Sequence, residues 1–475
     1  MSTLLPVALA IFTFGDPEPP APSAYEIVAA VETVIGDAIA KAEVSVVAIS
    51  RDKSENDVTL AIRGRSPVRD PNLDRRFGGL NPIDLVSGEV ISFDYGAGVV
   101  VGGKGQILTA YHVVRGARSL RVRAAGRQFF EAEIIAADPR TDLAVIAPRE
   151  VAGQAGPKLT PIVIGDSNTL RKGSFLVALG NPFNAAQDGK ASASWGILAN
   201  VARRIEPNPE ERMRNDLQLR NYPTLLQLDS KLNLGMSGGA VVNMKGELVG
   251  LTTAAANAAG FDAQAGYAIP MDQLGRKVVE TLREGKEYEH GFLGVRLDME
   301  NFTNHITSAD PGTPAGQGGL HVGDAVLAVG DMPVTDSDSL VVAINSIPAG
   351  EPVILKLKRD NTLLERTVEL AKRRPTGQVI ATNRPSPWRG LRVDYTSTIT
   401  SFGPDSLAAM AREGVVISEV SSGSEAEKAG LKVGQIISRV GEGTRVRNPR
   451  EFLRAVDTLK GPARLETDQG VVNVK

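Results

Sequence analysis

The sequence predicts a mostly β protein with several domains. From about residue 43 to 275, short apolar segments alternate with turns, as in VSVVAIS, AGVVVGGKGQILTAYHVV and GAVVNMKGELVGLTTA. The 49 glycines exceed the usual share of about 7% and favour a turn-rich protein. The strands show no alternation with helices of the kind that connects parallel strands, so we expect an antiparallel sandwich or a pair of barrels. A repeat in the C-terminal part predicts two further small β domains.

The composition sets the limits of the interpretation. A chain of 475 residues is long enough for roughly two to four domains. Apolar residues make up 42% and charged residues 23%, and the formal net charge of −2 gives no indication of a nucleic-acid partner. There are no cysteines, which excludes disulfides, thiolate metal sites and a cysteine nucleophile.

Residues 1–22 are predicted to be a leader followed by a linker. LLPVALAIFTF at residues 4–14 is an uncharged apolar run of 11 residues, much shorter than the ~20 of a membrane-spanning helix. Its length matches the apolar part of a signal peptide, although no Lys or Arg precedes it. DPEPPAP at residues 16–22 is typical of a stiff linker. We therefore expect export, or membrane association through the N-terminus.

Residues 23–275 are predicted to form one β-rich domain with an N-terminal segment. Hairpin turns are expected at residues 102–105 and 244–246. Two polar insertions, at about 51–92 and 202–224, are rich in Arg, Asp, Asn and Pro and should be surface loops. MDQLGRKVVETLREG, at residues 271–285, has the apolar spacing of an amphipathic helix that ends at Gly285.

The repeat defines two similar modules. GGLHVGDAVLAVG at residues 318–330 aligns with AGLKVGQIISRVG at residues 429–441, and a helical pattern follows each copy. We place the first module at residues 286–373 and the second at 388–475, with a linker at 374–387 between them. Each module should be a small β domain with a helix packed across it.

Ser237 in LGMSGGA, residues 234–240, is a candidate nucleophile. A glycine-rich run of this kind is more often a plain loop, so the serine needs partners elsewhere. Of the four histidines, only His112 precedes the repeated modules, and it follows a predicted strand. DPRTDLAVIA offers two acids; Asp138 precedes a proline and is typical of a turn residue, so we prefer Asp142.

The glycines around Ser237 fit an oxyanion hole. A tetrahedral intermediate needs two backbone N–H groups aimed at its oxyanion, and Gly235 and Ser237 are spaced to supply them. The order His112, Asp142, Ser237 is that of chymotrypsin-like serine proteases. Three such residues in that order along one β-rich domain form a specific signal.

TAYHVV, DPRTDLAVIA, GDSNTLRKGSFLVALGNPF, LLQLDSKLNLGMSGGAVVNMKGELVGL and GYAIPMDQL closely resemble the HtrA (Deg) serine proteases. The resemblance implies a chymotrypsin-like double β-barrel protease domain followed by two C-terminal PDZ domains. It implies the triad His112, Asp142 and Ser237, and a mechanism that needs no metal or other cofactor. It also implies periplasmic or otherwise exported protein quality control, unfolded or misfolded polypeptides as substrates, and a homo-oligomer built from trimers.

The resemblance also indicates binding residues. GFLGV resembles the PDZ loop that holds a peptide C-terminus, through Gly291, Phe292, Leu293, Gly294 and Val295. In the second module WRGLRV keeps less of this pattern and precedes an extra segment at residues 396–413, so a docking role is equally open. The substrate pocket is expected at Leu232, Leu251, Thr252 and Thr253, which would favour small or medium apolar side chains.

An alternative from another class is a catalytically idle PDZ scaffold or holdase chaperone. Its support is Met236, which stands where the family commonly carries Asn. Because the hole uses backbone N–H groups, this difference by itself should not abolish activity.

Overall fold

The computed structural model describes residues 22–53, 95–181, 189–203, 225–230, 232–233, 235–253, 266–298, 301, 303–375, 377–399, 413–459 and 461–475. The apolar run at 4–14, most of the insertions expected at 51–92 and 202–224, and most of the extra segment at 396–413 lie outside these residues. Within them, no helix combines the length and the apolar character needed to cross a membrane.

The described chain opens with a helix that the sequence patterns do not predict. Helix α1, Ala24–Glu43, begins at a capping box in which Ser23 and Glu26 satisfy each other's backbone N–H groups. Near its C-terminal end Ala38 and Ala42 are buried, and Lys41 Nζ donates to the carbonyl of Lys245 at 2.7 Å. The helix is therefore anchored to the β-rich domain by its C-terminal half.

The first six strands form a closed barrel. Around the barrel the strands follow the order β5, β4, β1, β2, β3, β6, and pairing of β5 with β6 closes it. Helix α2, Tyr111–Val114, follows β3 and is buried. The strands are β1 Val46–Lys53, β2 Tyr95–Val100, β3 Ile107–Ala110, β4 Ala117–Ala124, β5 Gln128–Asp138 and β6 Leu143–Pro148.

The next six strands form a second closed barrel, in the order β10, β11, β12, β9, β8, β7. They are β7 Phe175–Gly180, β8 Ser192–Arg203, β9 Leu225–Leu228, β10 Ala240–Val242, β11 Leu248–Thr253 and β12 Gly266–Pro270. One apolar cluster contains residues of both barrels, among them Leu108 and Val145 from the first and Leu179 and Ile269 from the second. The predicted double β-barrel is confirmed, and the barrels share a continuous core.

Helix α3, Gln273–Arg283, occupies the region where the sequence predicts a helix. Asp272 caps it by accepting from the Gly275 N–H at 2.8 Å. Its buried face consists of the apolar residues predicted from the spacing, Leu274, Val278, Val279 and Leu282. These side chains belong to the core shared by the two barrels, so the helix packs on the barrels as it leads toward the first module.

The first module consists of short strands around two helices. Its strands are β13 Gly291–Phe292, β14 Val295–Leu297, β15 Ile306–Ala309, β16 Ala325–Val329, β17 Met332–Pro333, β18 Pro352–Arg359, β19 Thr362–Glu369 and β20 Ala371–Lys372. Its helices are α4, Pro314–Gln317, and α5, Ser337–Asn345. A separate apolar cluster, which includes Leu340 and Ile344 of α5, forms its core.

The linker between the modules takes part in the first barrel. Strand β21, Ile380–Ala381, pairs antiparallel with the end of β5, placing Ile380 opposite Ala137. The N–H of Thr382 continues the pairing by donating to the Ile135 carbonyl at 3.1 Å. The segment expected only to separate the modules therefore adds an edge strand to the barrel.

The second module repeats the backbone plan of the first. Its strands are β22 Leu391–Tyr395, β23 Val415–Val420, β24 Ile436–Val440, β25 Thr444–Arg445, β26 Ala463–Thr467 and β27 Gly470–Val474, with helices α6, Glu425–Lys428, and α7, Pro449–Asp457. In both modules a glycine with positive φ lies against the residue that caps the short helix, Gly294 at Thr313 and Gly390 at Ser424. The repeat found in the sequence is thus also a repeat of backbone contacts.

Gly390→Ala should destabilise the second module by about 3 kcal/mol. Gly390 has φ 84°, a left-handed conformation that is unfavourable for alanine. A methyl group there would also lie 2.1 Å from the Ser424 Cβ, so a steric clash adds to the loss of stability. Gly423→Ala is the matched control, because Gly423 has φ 75° but no atom within 4 Å of the added methyl. We expect it to cost only ~1 kcal/mol. Urea unfolding, followed by the fluorescence of Trp388 in a Trp195→Phe background, measures the free energy of unfolding of both variants. Equal losses of stability in the two variants would contradict the packing argument.

Candidate functional site

His112 and Asp142 lie side by side where helix α2 meets the turn between β5 and β6. The Asp142 carboxylate accepts from the backbone N–H of His112 at 3.0 Å and from its Nδ1 at 2.8 Å. Both side chains are buried, with exposed fractions of 4% and 2%. Two bonds from one carboxylate to one histidine fix the orientation of the imidazole ring.

The backbone at Asp142 is unusual and is held from several sides. Its φ is 56°, in the left-handed region that few residues other than glycine adopt, although Asp and Asn tolerate it. The Tyr111 N–H donates to the Asp142 carbonyl at 2.8 Å, and Thr253 Oγ1 donates to its carboxylate at 3.2 Å. Thr253 belongs to the second barrel, so the carboxylate joins the two barrels.

The loop that carries Ser237 is fastened to both barrels. The Ser237 carbonyl accepts from the Ala97 N–H at 2.8 Å in the first barrel, and the Gly238 N–H donates to Thr252 at 2.8 Å in the second. A methyl group at Gly96 would lie 2.8 Å from the Val113 side chain and 3.2 Å from the Ser237 carbonyl. Gly96 thus lies between Ser237 and the residue that follows His112. Ser237 itself is half-buried.

Gly235 adopts a conformation that other residues would not. Its φ is 91°, and a methyl group there would lie 2.3 Å from the Asn181 carbonyl oxygen and 2.7 Å from the Tyr95 ring. In the parts of the chain that the structure describes, no backbone carbonyl accepts from the N–H of Gly235 or of Ser237.

Met236 fills space between these two residues. Its side chain is 2% exposed, and its Sδ accepts from the Asn233 N–H at 3.5 Å. Its carbonyl accepts from Thr252 Oγ1 and, at 2.9 Å, from the Gly239 N–H. The side chain at this position is therefore apolar and packed.

The four residues expected to line a substrate pocket have different surroundings. Leu232 is half-buried and packs against Gly266 of β12. Leu251 is fully buried in the shared core, and the hydroxyl groups of Thr252 and Thr253 are bonded to the Met236 carbonyl and to Asp142. The structure thus gives three of the four side chains core or hydrogen-bonding roles, because β11 is buried on both faces. The place of all four in a substrate pocket stays a prediction.

The expected peptide loop of the first module has an open strand beside it. Gly291 and Phe292 pair with β20, Leu293 is buried, and Gly294, with φ 80°, turns the chain into β14 at Val295. Strand β14 pairs only with β15 among the described strands, so its other edge can accept an added strand.

The corresponding loop of the second module is closed on itself. The Leu391 N–H donates to the Trp388 carbonyl at 2.8 Å, and the Trp388 ring packs edge-on against Phe452 of α7. Arg389 Nη1 donates to the Val474 carbonyl at 2.6 Å. The weaker match of WRGLRV to the first loop therefore corresponds to a real difference in contacts.

A cluster of polar residues beside the site is not predicted from the sequence. The connector cluster consists of Asp138, Arg140, Glu287 and His290. Asp138 accepts from the Arg140 N–H at 3.0 Å, as a turn residue would, and also from Arg140 Nε at 2.8 Å and His290 Nε2 at 2.6 Å. Arg140 Nη2 donates to Glu287 at 3.1 Å. The cluster lies between the turn that carries Asp142 and the entry to the first module, a contact that no local pattern predicts.

The charges in the connector cluster compensate one another. Burial by itself would raise the pKa of Asp138, but Arg140 and His290 outweigh it and hold that pKa below its ordinary range. Burial lowers the pKa of His290 below its ordinary value, although the neighbouring Asp138 carboxylate acts in the opposite direction. Burial, followed by repulsion from Arg140, lowers the pKa of Arg373 to about 10.

Comparisons with known proteins agree with this architecture. The family model described as a trypsin-like peptidase domain matches residues 96–251, and a PDZ domain model matches residues 291–370. The periplasmic serine endoprotease DegP of Salmonella typhimurium is 28% identical over 388 residues, covering 79% of this chain and 74% of the relative. A protein of Chlamydia trachomatis serovar D named "Probable periplasmic serine endoprotease DegP-like" is 30% identical over 380 residues, covering 77% of this chain and 70% of the relative.

Solved structures show the same relationship. A variant of the HtrA-type protease AlgW with a decapeptide is 25% identical, with a TM-score of 0.50. The match covers 72% of this chain and 98% of that chain.

Proposed function

The chain belongs to the HtrA (Deg) family of serine endoproteases, and we propose that His112, Asp142 and Ser237 are its catalytic triad. The observation that carries the proposal is the pair of hydrogen bonds that His112 donates to the Asp142 carboxylate, next to the Ser237 loop. Because Nδ1–H donates to the carboxylate, the neutral ring has its lone pair on Nε2. That nitrogen is the one that must take the proton of a serine hydroxyl.

The chemistry then follows from these groups. Ser237 Oγ attacks the scissile carbonyl while His112 Nε2 takes its proton, and Asp142 stabilises the resulting imidazolium. The imidazolium gives its proton to the leaving amine, and an acyl group stays on Ser237 until water, deprotonated by His112, releases it. The N–H groups of Gly235 and Ser237 hold the oxyanion in both tetrahedral intermediates. The left-handed backbone of Gly235, which leaves no room for a side chain, supports this role.

Substrate, location and assembly are further parts of the proposal. The substrates are unfolded or misfolded polypeptides, and the first PDZ domain binds peptide C-termini at residues 291–295 along the open edge of β14. The decapeptide in the AlgW structure and the periplasmic names of the relatives support peptide binding and export. We infer a homo-oligomer built from trimers from the family resemblance. Because its loop is closed, the second module is assigned to docking, through Arg450 Nη1 on Glu351 at 2.6 Å.

The idle scaffold or holdase is the competing function. Met236 supports it only if the loop needs an Asn side chain. The side chain of Met236 is buried, and the proposed oxyanion donors are backbone N–H groups, which a change of side chain at residue 236 does not remove. Labelling with a fluorophosphonate probe separates the two functions, because only an activated serine reacts. An unlabelled Ser237 in folded protein would favour the scaffold.

Ser237→Ala should remove peptidase activity and leave the fold intact. Loss of a triad nucleophile lowers kcat on the order of 10⁶-fold in the well-studied subtilisin case. Casein hydrolysis by the purified variant measures activity, and circular dichroism checks the fold. Cleavage at a near wild-type rate would reject Ser237 as the nucleophile.

Met236→Asn should change kcat by less than about tenfold, whereas Gly235→Val should lower it by about 10²–10³-fold. Met236 contributes packing, but a side chain at Gly235 meets the Asn181 carbonyl and displaces an oxyanion donor. Steady-state kinetics on a short reporter peptide compare the two variants. If Met236→Asn switched activity on from nothing, the natural protein would be the scaffold.

A C-terminal peptide bound to the first PDZ domain should raise kcat/KM by roughly 5–150-fold, the usual range of coupling between sites. The predicted route is the insertion at 202–224, which precedes the strand leading to the Ser237 loop and lies largely outside the described residues. The assay uses a reporter peptide with and without the activating peptide, in the full chain and in a chain lacking residues 205–221. Undiminished stimulation after the deletion would assign the signal to another route.

A further inference from the structure

The turn that carries Asp142 is held from outside the barrel to which it belongs. Asp138 and Arg140 stand four and two residues before Asp142, and both are buried, with exposed fractions of 0% and 1%. Their partners are His290 and Glu287, which lie between helix α3 and strand β13. This segment connects the protease domain with the first PDZ domain.

From these contacts we infer that Asp138, Arg140 and His290 are positioning residues for the triad, acting on Asp142 through the backbone of the turn. The inference rests on the proposed function, because it assigns them to the alignment of the catalytic acid. The hydrogen bonds described for the three residues go to the turn and to the connecting segments and not to Ser237, so we assign them no part in the bond-making steps.

The first step is that Asp142 needs support. A left-handed backbone at a residue other than glycine persists only where its surroundings determine it. Inside the barrels the support comes from Tyr111, His112 and Thr253. The start of the turn is fixed separately, since the Asp138 carboxylate accepts from the Arg140 N–H and, at 3.3 Å, from Thr141 Oγ1.

The second step is that Arg140 ties this turn to both ends of the PDZ domain. Nη2 donates to the Tyr288 carbonyl at 2.9 Å as well as to Glu287, and Nη1 donates to the Arg373 carbonyl at 3.1 Å. Arg373 follows the last strand of that domain. A buried guanidinium without these acceptors is strongly unfavourable, so losing them would force the turn to rearrange toward solvent.

The third step is that His290, in the segment before the PDZ domain, donates a further hydrogen bond to the Asp138 carboxylate. Its Nε2 donates to Asp138 at 2.6 Å, and its own carbonyl accepts from the Arg373 N–H at 2.7 Å. The linker beyond Arg373 also covers the turn, because a methyl group at Gly377 would lie 3.0 Å from Pro139. The catalytic acid is therefore aligned by segments before and after the PDZ domain, a route that does not pass through residues 202–224.

The test uses the full-length chain with His290→Leu, which cannot donate to Asp138. We expect kcat on a short reporter peptide to fall by up to ~10²-fold, the usual effect of a small misplacement, with KM nearly unchanged. The midpoint of the pH profile of kcat/KM should move to lower pH, because a displaced carboxylate stabilises the positive charge that develops on the general base less. His290→Gln, whose amide can donate to Asp138, should largely restore both values.

The control is Lys286→Gln, which removes an exposed ion pair with Glu284 in the same connecting segment. It should leave kcat and the pH midpoint unchanged. Should His290→Leu fail to fold by circular dichroism, Arg140→Lys takes its place, because it keeps the charge but not the reach to three acceptors; it should show the same loss and the same shift.

Two outcomes would overturn the inference. One is a folded variant with the kinetics of the natural protein. The other is activity that falls only in proportion to the folded fraction, with no shift of the pH midpoint, which is the result expected of a merely structural contact. If the natural chain itself neither hydrolyses the reporter nor reacts with a fluorophosphonate, the proposed function fails instead.

Discussion

A carboxylate buried in protein must have its oxygens hydrogen-bonded, and Asp142 meets this requirement with groups from both barrels. His112 supplies a backbone and a side-chain donor from the first barrel, and Thr253 supplies a hydroxyl from the second. The same bonds that make the buried charge tolerable also orient the imidazole. The shared apolar core behind them keeps the two barrels at the separation that these bonds need.

Close backbone approach is the second constraint around the site. The Ser237 loop lies between the two barrels, and glycines occupy the points where a side chain would collide with a carbonyl. A methyl group would lie 2.3 Å from Asn181 at Gly235 and 2.3 Å from Ala97 at Gly238. The glycines therefore allow the loop to be fastened on both sides without side-chain collisions. A serine in an ordinary loop would lack this enclosure.

The modules that follow the barrels make specific contacts with the protease domain and with each other. The connector cluster, the strand β21 and the covering of Pro139 by Gly377 join both ends of the first PDZ domain to the turn before Asp142. The second module in turn contacts the first through Arg450 and Asn448. The Arg450–Glu351 pair is exposed, whereas Asp138, Arg140 and His290 are buried and receive hydrogen-bond partners from other parts of the chain.

The sequence by itself determined the features that depend on local pattern or on order along the chain. Alternating apolar segments predicted β-rich domains, spacing predicted helix α3, and the repeat predicted two modules of one backbone plan. The order of His112, Asp142 and Ser237, with glycines beside the serine, selected the candidate site. The tertiary structure alone decided which groups meet across long separations. It paired Asp138 with His290, bonded the Thr253 hydroxyl to Asp142, and added β21 to the first barrel. Buried charges and strand edges need hydrogen-bond partners, and in the folded chain these partners come from residues far away in the sequence. No local sequence pattern specifies which residues they will be.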